Sequence, residues 1–286
     1  MHVNEMHVNQ ATFARNLKEE AGYTCGMFGK YMNTMPNQVP AGWDAWLGNG
    51  GGNYVAPTFQ IKNLDFMDPP MPPDPELHCG LTGVEGGCWQ GPDCSDPRAV
   101  GCYTTAVVGN VSTSWIRKVV GENIHRPFMA YIAPKAAHEP FNPAPWYADH
   151  WDPSWPTTEP RPVAYNASAE ARANHAGTVP KQPMMSEEVG KVVTDVFKNR
   201  WRTLMSVDDV ISDVINLCDS LGLKESTYFF YSSDHGFQLG EFNSPMDKRH
   251  AYDWDTRIHL LARGPGIGAG MTWSEPATQG AFKFWS

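Results

Sequence analysis

No stretch of this chain approaches the roughly 20 consecutive apolar residues that a bilayer-spanning helix needs, so these 286 residues hold no helical membrane span. No basic run occurs either. Lys and Arg number 22 against 31 Asp and Glu, a formal net charge of −9, which argues against a nucleic-acid-binding surface. The six cysteines include no tight C-x-x-C pair of the kind that holds structural zinc. The opening residues, Met1-His2-Val3-Asn4-Glu5, have neither the basic start nor the apolar middle of a secretory signal peptide. No internal repeat is visible. The chain reads as soluble, and nothing in its sequence speaks to its oligomeric state.

What it does contain is enough apolar material for a substantial core, 41% hydrophobic and 12% aromatic residues. Cys79, Cys88, Cys94 and Cys102 crowd into a Gly/Pro-rich stretch, while Cys25 and Cys218 stand apart. That clustering predicts a disulfide-stapled loop and therefore an oxidising compartment. Two glycosylation sequons, Asn110-Val111-Ser112 and Asn166-Ala167-Ser168, point the same way. A secreted or lysosome-like route is expected, and the lack of a leader then implies that the true N-terminus lies upstream of Met1.

Periodicity outlines an α/β chain. Phe13, Ala14 and Leu17 predict a helix over 11–21 that Gly22 stops, followed by a short strand over 23–28. A helix is expected over 112–120, and the apolar run 128–133 reads as a buried parallel strand. Val207, Val210, Ile211, Val214, Ile215, Cys218 and Leu221 recur at helical spacing up to Gly222. Tyr228–Ser232 then reads as a buried strand and 258–262 as the next one. Strands alternating with helices predict a mainly parallel sheet covered by helices on both faces. The Gly-, Pro- and Cys-rich residues at about 36–102 read as an irregular surface insertion, and 140–183 as a Pro-rich tract. Gln279–Ser286 show no terminating structure.

Several polar residues fall just past strand ends, where open α/β sheets bind ligands. Lys30 follows the first strand, His138 follows 128–133, and Asp234-His235 follow Tyr228–Ser232. Lysine suits phosphate or sulfate oxygens, histidine can bind such an oxygen or protonate a leaving alcohol, and aspartate prefers hard cations. Taken singly, each also fits a plainer role. Asp234-His235 would cap a core strand, Lys30 would be a solvated turn residue, and His138 would bond within a turn before Pro140. Lys248 and Arg249 would be surface charge, and Trp146, Trp151 and Trp155 would pack a loop.

Four blocks of the chain, in order, resemble the sulfatase family and within it the glucosamine-6-sulfatase branch. They are the 21–33 block containing Phe28-Gly29-Lys30-Tyr31, the block Ala137-His138-Glu139-Pro140-Phe141, and Ser233-Asp234-His235-Gly236-Phe237-Gln238-Leu239-Gly240-Glu241. Last come Lys248-Arg249, Tyr252, Asp255, Arg257 and Gly264-Pro265-Gly266. The resemblance implies an α/β sandwich with its site at the carboxyl ends of the strands, and hydrolysis of sulfate esters on a sulfated small molecule or glycan. In that family a cysteine within C-x-P-x-R becomes formylglycine, whose hydrate attacks sulfur, and a calcium ion held by aspartates stabilises the sulfate oxygens. Carried over by the match, Asp234 and His235 take metal-ligand positions, Lys30 and Lys248 bind sulfate, and His138 contacts sulfate or assists the leaving group.

Two departures stand out. No C-x-P-x-R is present, because in Cys94-Ser95-Asp96-Pro97-Arg98 the proline is one place late and the segment follows the Lys30 block instead of preceding it. The family's first-strand aspartate pair also has no counterpart. The sequence therefore reads as the middle of a sulfatase catalytic domain, without its first strand region and C-terminal subdomain, and 1–286 alone is expected to be inactive. Two other readings stay open: a metal-dependent phosphodiesterase or phosphatase of the same superfamily, since imidazole suits zinc better than calcium, and a non-catalytic domain that binds sulfated glycans.

Overall fold

The computed structural model describes residues 10–33, 35, 38–77, 79, 86–92, 100–175, 177, 179–270, 272–274 and 281–284. The chain divides into two compact units, Met1–His150 with Arg200–Leu217, and Trp151–Asn199 with Cys218–Ser286.

The first unit begins with helix α1 (Phe13–Ala21), set by its own ends. The Thr12 hydroxyl accepts from the Arg15 N–H, and Gly22 closes the helix at φ 71°. Strand β1 (Thr24–Lys30) follows and pairs in parallel with β2 (Ala45–Asn49) on one side. Strands β3 (Thr58–Lys62) and β4 (Cys88–Gln90) then extend the sheet antiparallel from β2. Helix α2 (Thr104–Glu122) leads to β5 (Phe128–Ala133), which pairs in parallel with the other side of β1. The sheet order is β4-β3-β2-β1-β5.

Alternation along β1 sends its side chains to opposite faces. Cys25 and Met27 join Ala14 of α1, Trp43 and Trp46 in one buried cluster. Phe28 instead meets Trp115 of α2, ring centroids 5.5 Å apart. Helices therefore cover both faces of the parallel core, as the α/β pattern predicts. Helix α2 also packs against the later helix of this unit: a Cβ placed on Gly109 would lie 2.7 Å from Val210 Cγ2.

The stretch at about 36–102 departs from the expected irregular surface excursion. It supplies three strands of the main sheet, and Trp46, Leu47 and Phe59 are wholly buried. The Trp46 indole donates to Gln60 Oε1 at 3.1 Å, which satisfies two buried polar groups at once. Strands of three to five residues between glycine and proline turns leave too little periodicity to be read in advance. The expected staple is present as the Cys79–Cys88 disulfide, Cys102 is disulfide-bonded as well, and Cys25 and Cys218 are free and buried.

The second unit opens in the Pro-rich tract, where α3 (Ala169–Arg172) is the longest regular element. Helix α4 (Glu187–Ser220) is 34 residues long and contributes Arg200–Leu217 to the first unit. Strand β6 (Phe229–Ser232), the one-turn helix α5 (Asp253–Thr256) and β7 (Leu260–Arg263) come next. Strands β8 (Thr272–Ser274) and β9 (Ala281–Phe284) complete a mixed sheet of order β6-β7-β9-β8.

Two strands expected to be buried are edges instead. Tyr131 on β5 is 46% exposed and Phe230 on β6 is 69% exposed. A short apolar run reads alike in the middle and at the rim of a sheet. Among the described residues no helix is long and apolar enough to cross a membrane.

Candidate active site

In the first unit, Lys30 and His138 leave the carboxyl ends of neighbouring parallel strands. Lys30 is the last residue of β1, opposite Asn49 of β2. Gly29 fixes the approach: at φ 114° it lies so close to β5 that a Cβ would sit 2.0 Å from the Ala133 carbonyl oxygen. A Cβ on Gly51, in the glycine turn after β2, would lie 3.8 Å from Lys30 Cε, so the lysine stem runs along that turn. Lys135, in the loop after β5, donates to the Gly52 carbonyl and lies 4.8 Å over the Tyr54 ring.

The loop carrying His138 is held from distant parts of the sequence. Its backbone N–H bonds Lys135 O at 2.9 Å, and its carbonyl accepts the Tyr54 hydroxyl at 2.6 Å. One residue earlier, Ala137 O accepts from Arg200 Nη1 at 3.0 Å, and the same guanidinium lies 5.7 Å from the Phe141 ring. Burial lowers the Arg200 pKa to about 10, and burial followed by Tyr103 pushes the Tyr54 phenol well above its ordinary value. His138 Nδ1 lies 2.9 Å from Glu139 O. A carbonyl only accepts, so Nδ1 carries a proton, and a second proton on Nε2 would give the imidazolium that can donate to a sulfate oxygen or to a leaving alcohol.

In the second unit, Asp234 and His235 follow β6. His235 Nδ1 donates to Gly236 O at 2.7 Å, which leaves Nε2 as acceptor in the neutral ring, and Nε2 lies 3.5 Å from Asp234 Oδ1. Two acceptors thus face each other, an arrangement that a shared cation or a proton on Nε2 reconciles. The Asp234 side chain is 68% exposed and that of His235 35%, so the corner opens to solvent. Gly236 makes the turn possible: its N–H bonds Asp255 O at 2.7 Å, and a Cβ there would lie 1.8 Å from Trp254 O.

Asp255 is buried, and its Oδ2 accepts the His250 N–H at 2.6 Å, which ties the Asp234 turn to the segment carrying Lys248. Asp247 organises that segment, accepting from the Lys248 N–H at 2.8 Å and pairing with Arg249 Nε at 3.1 Å. As ligands, Asp234 and His235 fit two positions around a divalent cation. No group of three His, Cys, Asp or Glu able to hold a metal occurs among the described residues. Calcium takes six to eight oxygen ligands, so this pair is a partial set.

The structure thus keeps Lys30 with His138 in the first unit, and Asp234, His235 and Lys248 in the second. Tyr54, Lys135 and Arg200 were given no role by the sequence. Tyr54 and Arg200 lie 84 and 63 residues from their bonding partners, and no local pattern marks them. The tryptophans pack as rings against rings: Trp146 on Tyr103 at 5.7 Å, and Trp151 on Trp155 at 5.3 Å. Cys94 lies outside the described residues.

Comparison with known proteins sets this geometry in a family. Residues 4–279 match the Sulfatase family. Human N-acetylglucosamine-6-sulfatase is 28% identical over 269 residues, which cover 91% of this chain and 42% of that protein. The extracellular sulfatase SULF-1 homolog of Drosophila melanogaster is 28% identical over 275 residues, covering 93% and 21% respectively. The chain thus spans less than half the length of these relatives. Among solved structures, BT4656 in complex with its substrate D-glucosamine-2-N,6-O-disulfate aligns with a TM-score of 0.52 at 20% identity, over 89% of this chain and 55% of that one. That likeness supports the alkaline-phosphatase-like α/β fold, with parallel strands at its core. With the family match extending across nearly the whole sequence, the chain belongs to the sulfatase family.

Proposed function

We propose that the gene's whole product hydrolyses sulfate esters on a sugar of the glucosamine-6-sulfate type. The observation that carries the reading is the match to N-acetylglucosamine-6-sulfatase across 91% of the chain, with the Lys30, His138, Asp234-His235 and Lys248 segments in family order. Lys30 and Lys248 bind sulfate oxygens, and His138 contacts the sulfate or protonates the departing sugar oxygen. Asp234 and His235 supply two ligands to a divalent cation, calcium by family likeness, which lends Lewis-acid stabilisation to the sulfate when bound.

The nucleophile is a formylglycine formed in a C-x-P-x-R motif. Residues 1–286 contain no such motif, so this polypeptide by itself positions an anion but does not cleave it. The chain is part of one sulfatase catalytic domain, acting in a secreted or lysosome-like compartment, to which the disulfides are suited.

The test is release of inorganic sulfate from N-acetylglucosamine 6-sulfate by the gene's whole product. Sulfate release supports the reading. Release of phosphate from phosphate esters, with sulfate esters untouched, supports the phosphodiesterase alternative, which the imidazole in the donor pair favours through its preference for zinc.

A further inference from the structure

Asp247 and Asp255 bracket the segment that carries Lys248, and both ends of that segment close back onto the residues following β6. At one end the Asp247 carbonyl accepts the Gln238 N–H at 2.9 Å, and at the other the Asp255 carbonyl accepts the Gly236 N–H at 2.7 Å. The turn at Asp234-His235 and the Lys248 loop are thereby joined through their backbones. Bonds at the two ends of a loop do not by themselves fix the residues between them, and Lys248 is one of these.

Side chains complete the hold. Asp247 Oδ1 accepts the Lys248 N–H at 2.8 Å and its Oδ2 pairs with Arg249 Nε at 3.1 Å, from a carboxylate that is 37% exposed. Asp255 Oδ2 accepts the His250 N–H at 2.6 Å across five residues, from a residue that is 4% exposed. Water competes at the first carboxylate and is shut out of the second. The bond from Asp255 is therefore the firmer of the two, and it fixes the chain two residues beyond Lys248.

For stability alone this carboxylate is a poor choice. Its second oxygen, Oδ1, is buried with no hydrogen-bond partner among the described residues. Its charge also adds to burial and to Glu159 in raising the Glu241 carboxyl above its ordinary value. A buried acid with one unsatisfied oxygen and an acidic neighbour weakens a fold. An amide of the same shape would accept the His250 N–H without that charge. The carboxylate therefore points to a task beyond folding, namely a stronger grip on the His250 amide than a neutral acceptor gives.

We propose that Asp255 is the positioning residue for Lys248: from inside the fold its carboxylate holds the His250 amide, and with it the lysine, in place beside the Asp234-His235 turn. Buried as it is, Asp255 acts through Lys248 and does not meet the substrate. The inference rests on the reading of Lys248 as a sulfate ligand, and it requires no hydrolytic step.

The experiment measures the dissociation constant for inorganic sulfate by calorimetry, and the unfolding midpoint, on the gene's whole product. The variants are Asp255→Asn, Asp255→Ala, Lys248→Met and each Asp255 change combined with Lys248→Met. Asp255→Ala should weaken sulfate binding by about tenfold and Asp255→Asn by less. The Asn variant, relieved of the buried charge, should nonetheless unfold at the same or a higher midpoint. In the double variants the loss should equal that of Lys248→Met alone, because no lysine is left to position. The Asn pair carries the same comparison if the Ala variant does not fold. Losses that add, an Asn variant that binds sulfate as the wild type does, or a wild type that binds no sulfate overturns the proposal. Sulfate-ester turnover with additive losses leaves the sulfatase reading standing and removes this one, and coupled losses without turnover do the reverse.

Discussion

The Tyr54 hydroxyl donates a 2.6 Å hydrogen bond to the backbone carbonyl of His138, 84 residues away in sequence. Tyr54 is itself stacked on Tyr103 at 5.8 Å, and Tyr103 bonds Asn142 O at 2.9 Å, so two phenols hold the two ends of the His138 loop. Tyr54→Phe keeps the stack and removes the bond. The expected result is a loss of about 1–2 kcal/mol in unfolding free energy, with faster amide exchange confined to residues 136–141. Equal exchange in the two proteins would show that the bond does not hold the loop.

Arg200 supports the same loop through Ala137 O and the Phe141 ring. Arg200→Met removes the donor and leaves that carbonyl short of a partner, so a loss of about 1–3 kcal/mol is expected. Arg200→Lys retains a charge but not the planar fork, and should fall between the two. Denaturant midpoints at constant slope are the measurement.

A pH signature comes from the second unit. Burial, with added repulsion from Glu159 and Asp255, raises the Glu241 pKa above its ordinary 4.5. A carboxyl with a raised folded-state value contributes stability that is fully present below the unfolded pKa and is lost as pH rises through the folded one. Stability should therefore fall as pH climbs from about 4.5 toward neutrality. Glu241→Gln, which can still accept the Leu239 N–H, should flatten that fall and raise the midpoint at pH 7. Burial pushes Glu159 up too, but hydrogen bonds from Tyr165, Thr194, its own backbone and Arg161 outweigh it and hold that carboxyl below its ordinary value. Thr194→Val should accordingly weaken the protein more at neutral pH than in acid.

The Cys79–Cys88 bridge joins β4 to a residue nine positions earlier in the chain. Loop-closure entropy for so short a loop is worth about 2–3 kcal/mol. Cys88→Ser should lower the unfolding free energy by that amount under oxidising conditions and match wild type once both are reduced.

The helix over 11–21, its stop at Gly22 and the strand running toward Lys30 were legible in sequence, because helical spacing and a terminating glycine act over a few positions, whereas the Thr12 cap came only with the structure. So was the turn at Asp234-His235, since the apolar aromatic run before it breaks off into Asp-His-Gly. The strands within 36–102 were not, being only three to five residues long between breakers. The burial of 128–133 and 228–232 was misjudged because an apolar run does not say which strand lies at the rim. Tyr54 and Arg200 were invisible, since what gives them a role is contact across the fold.

The most direct measurement is sulfate release from N-acetylglucosamine 6-sulfate by the gene's whole product, compared with its His138→Ala and Asp234→Asn variants. The account predicts sulfate turnover by the wild type, a drop in kcat on the order of 100-fold or more for His138→Ala, and a severe loss for Asp234→Asn, with folding preserved in both. Undiminished turnover in these folded variants, or no sulfate release by the wild type, would contradict it.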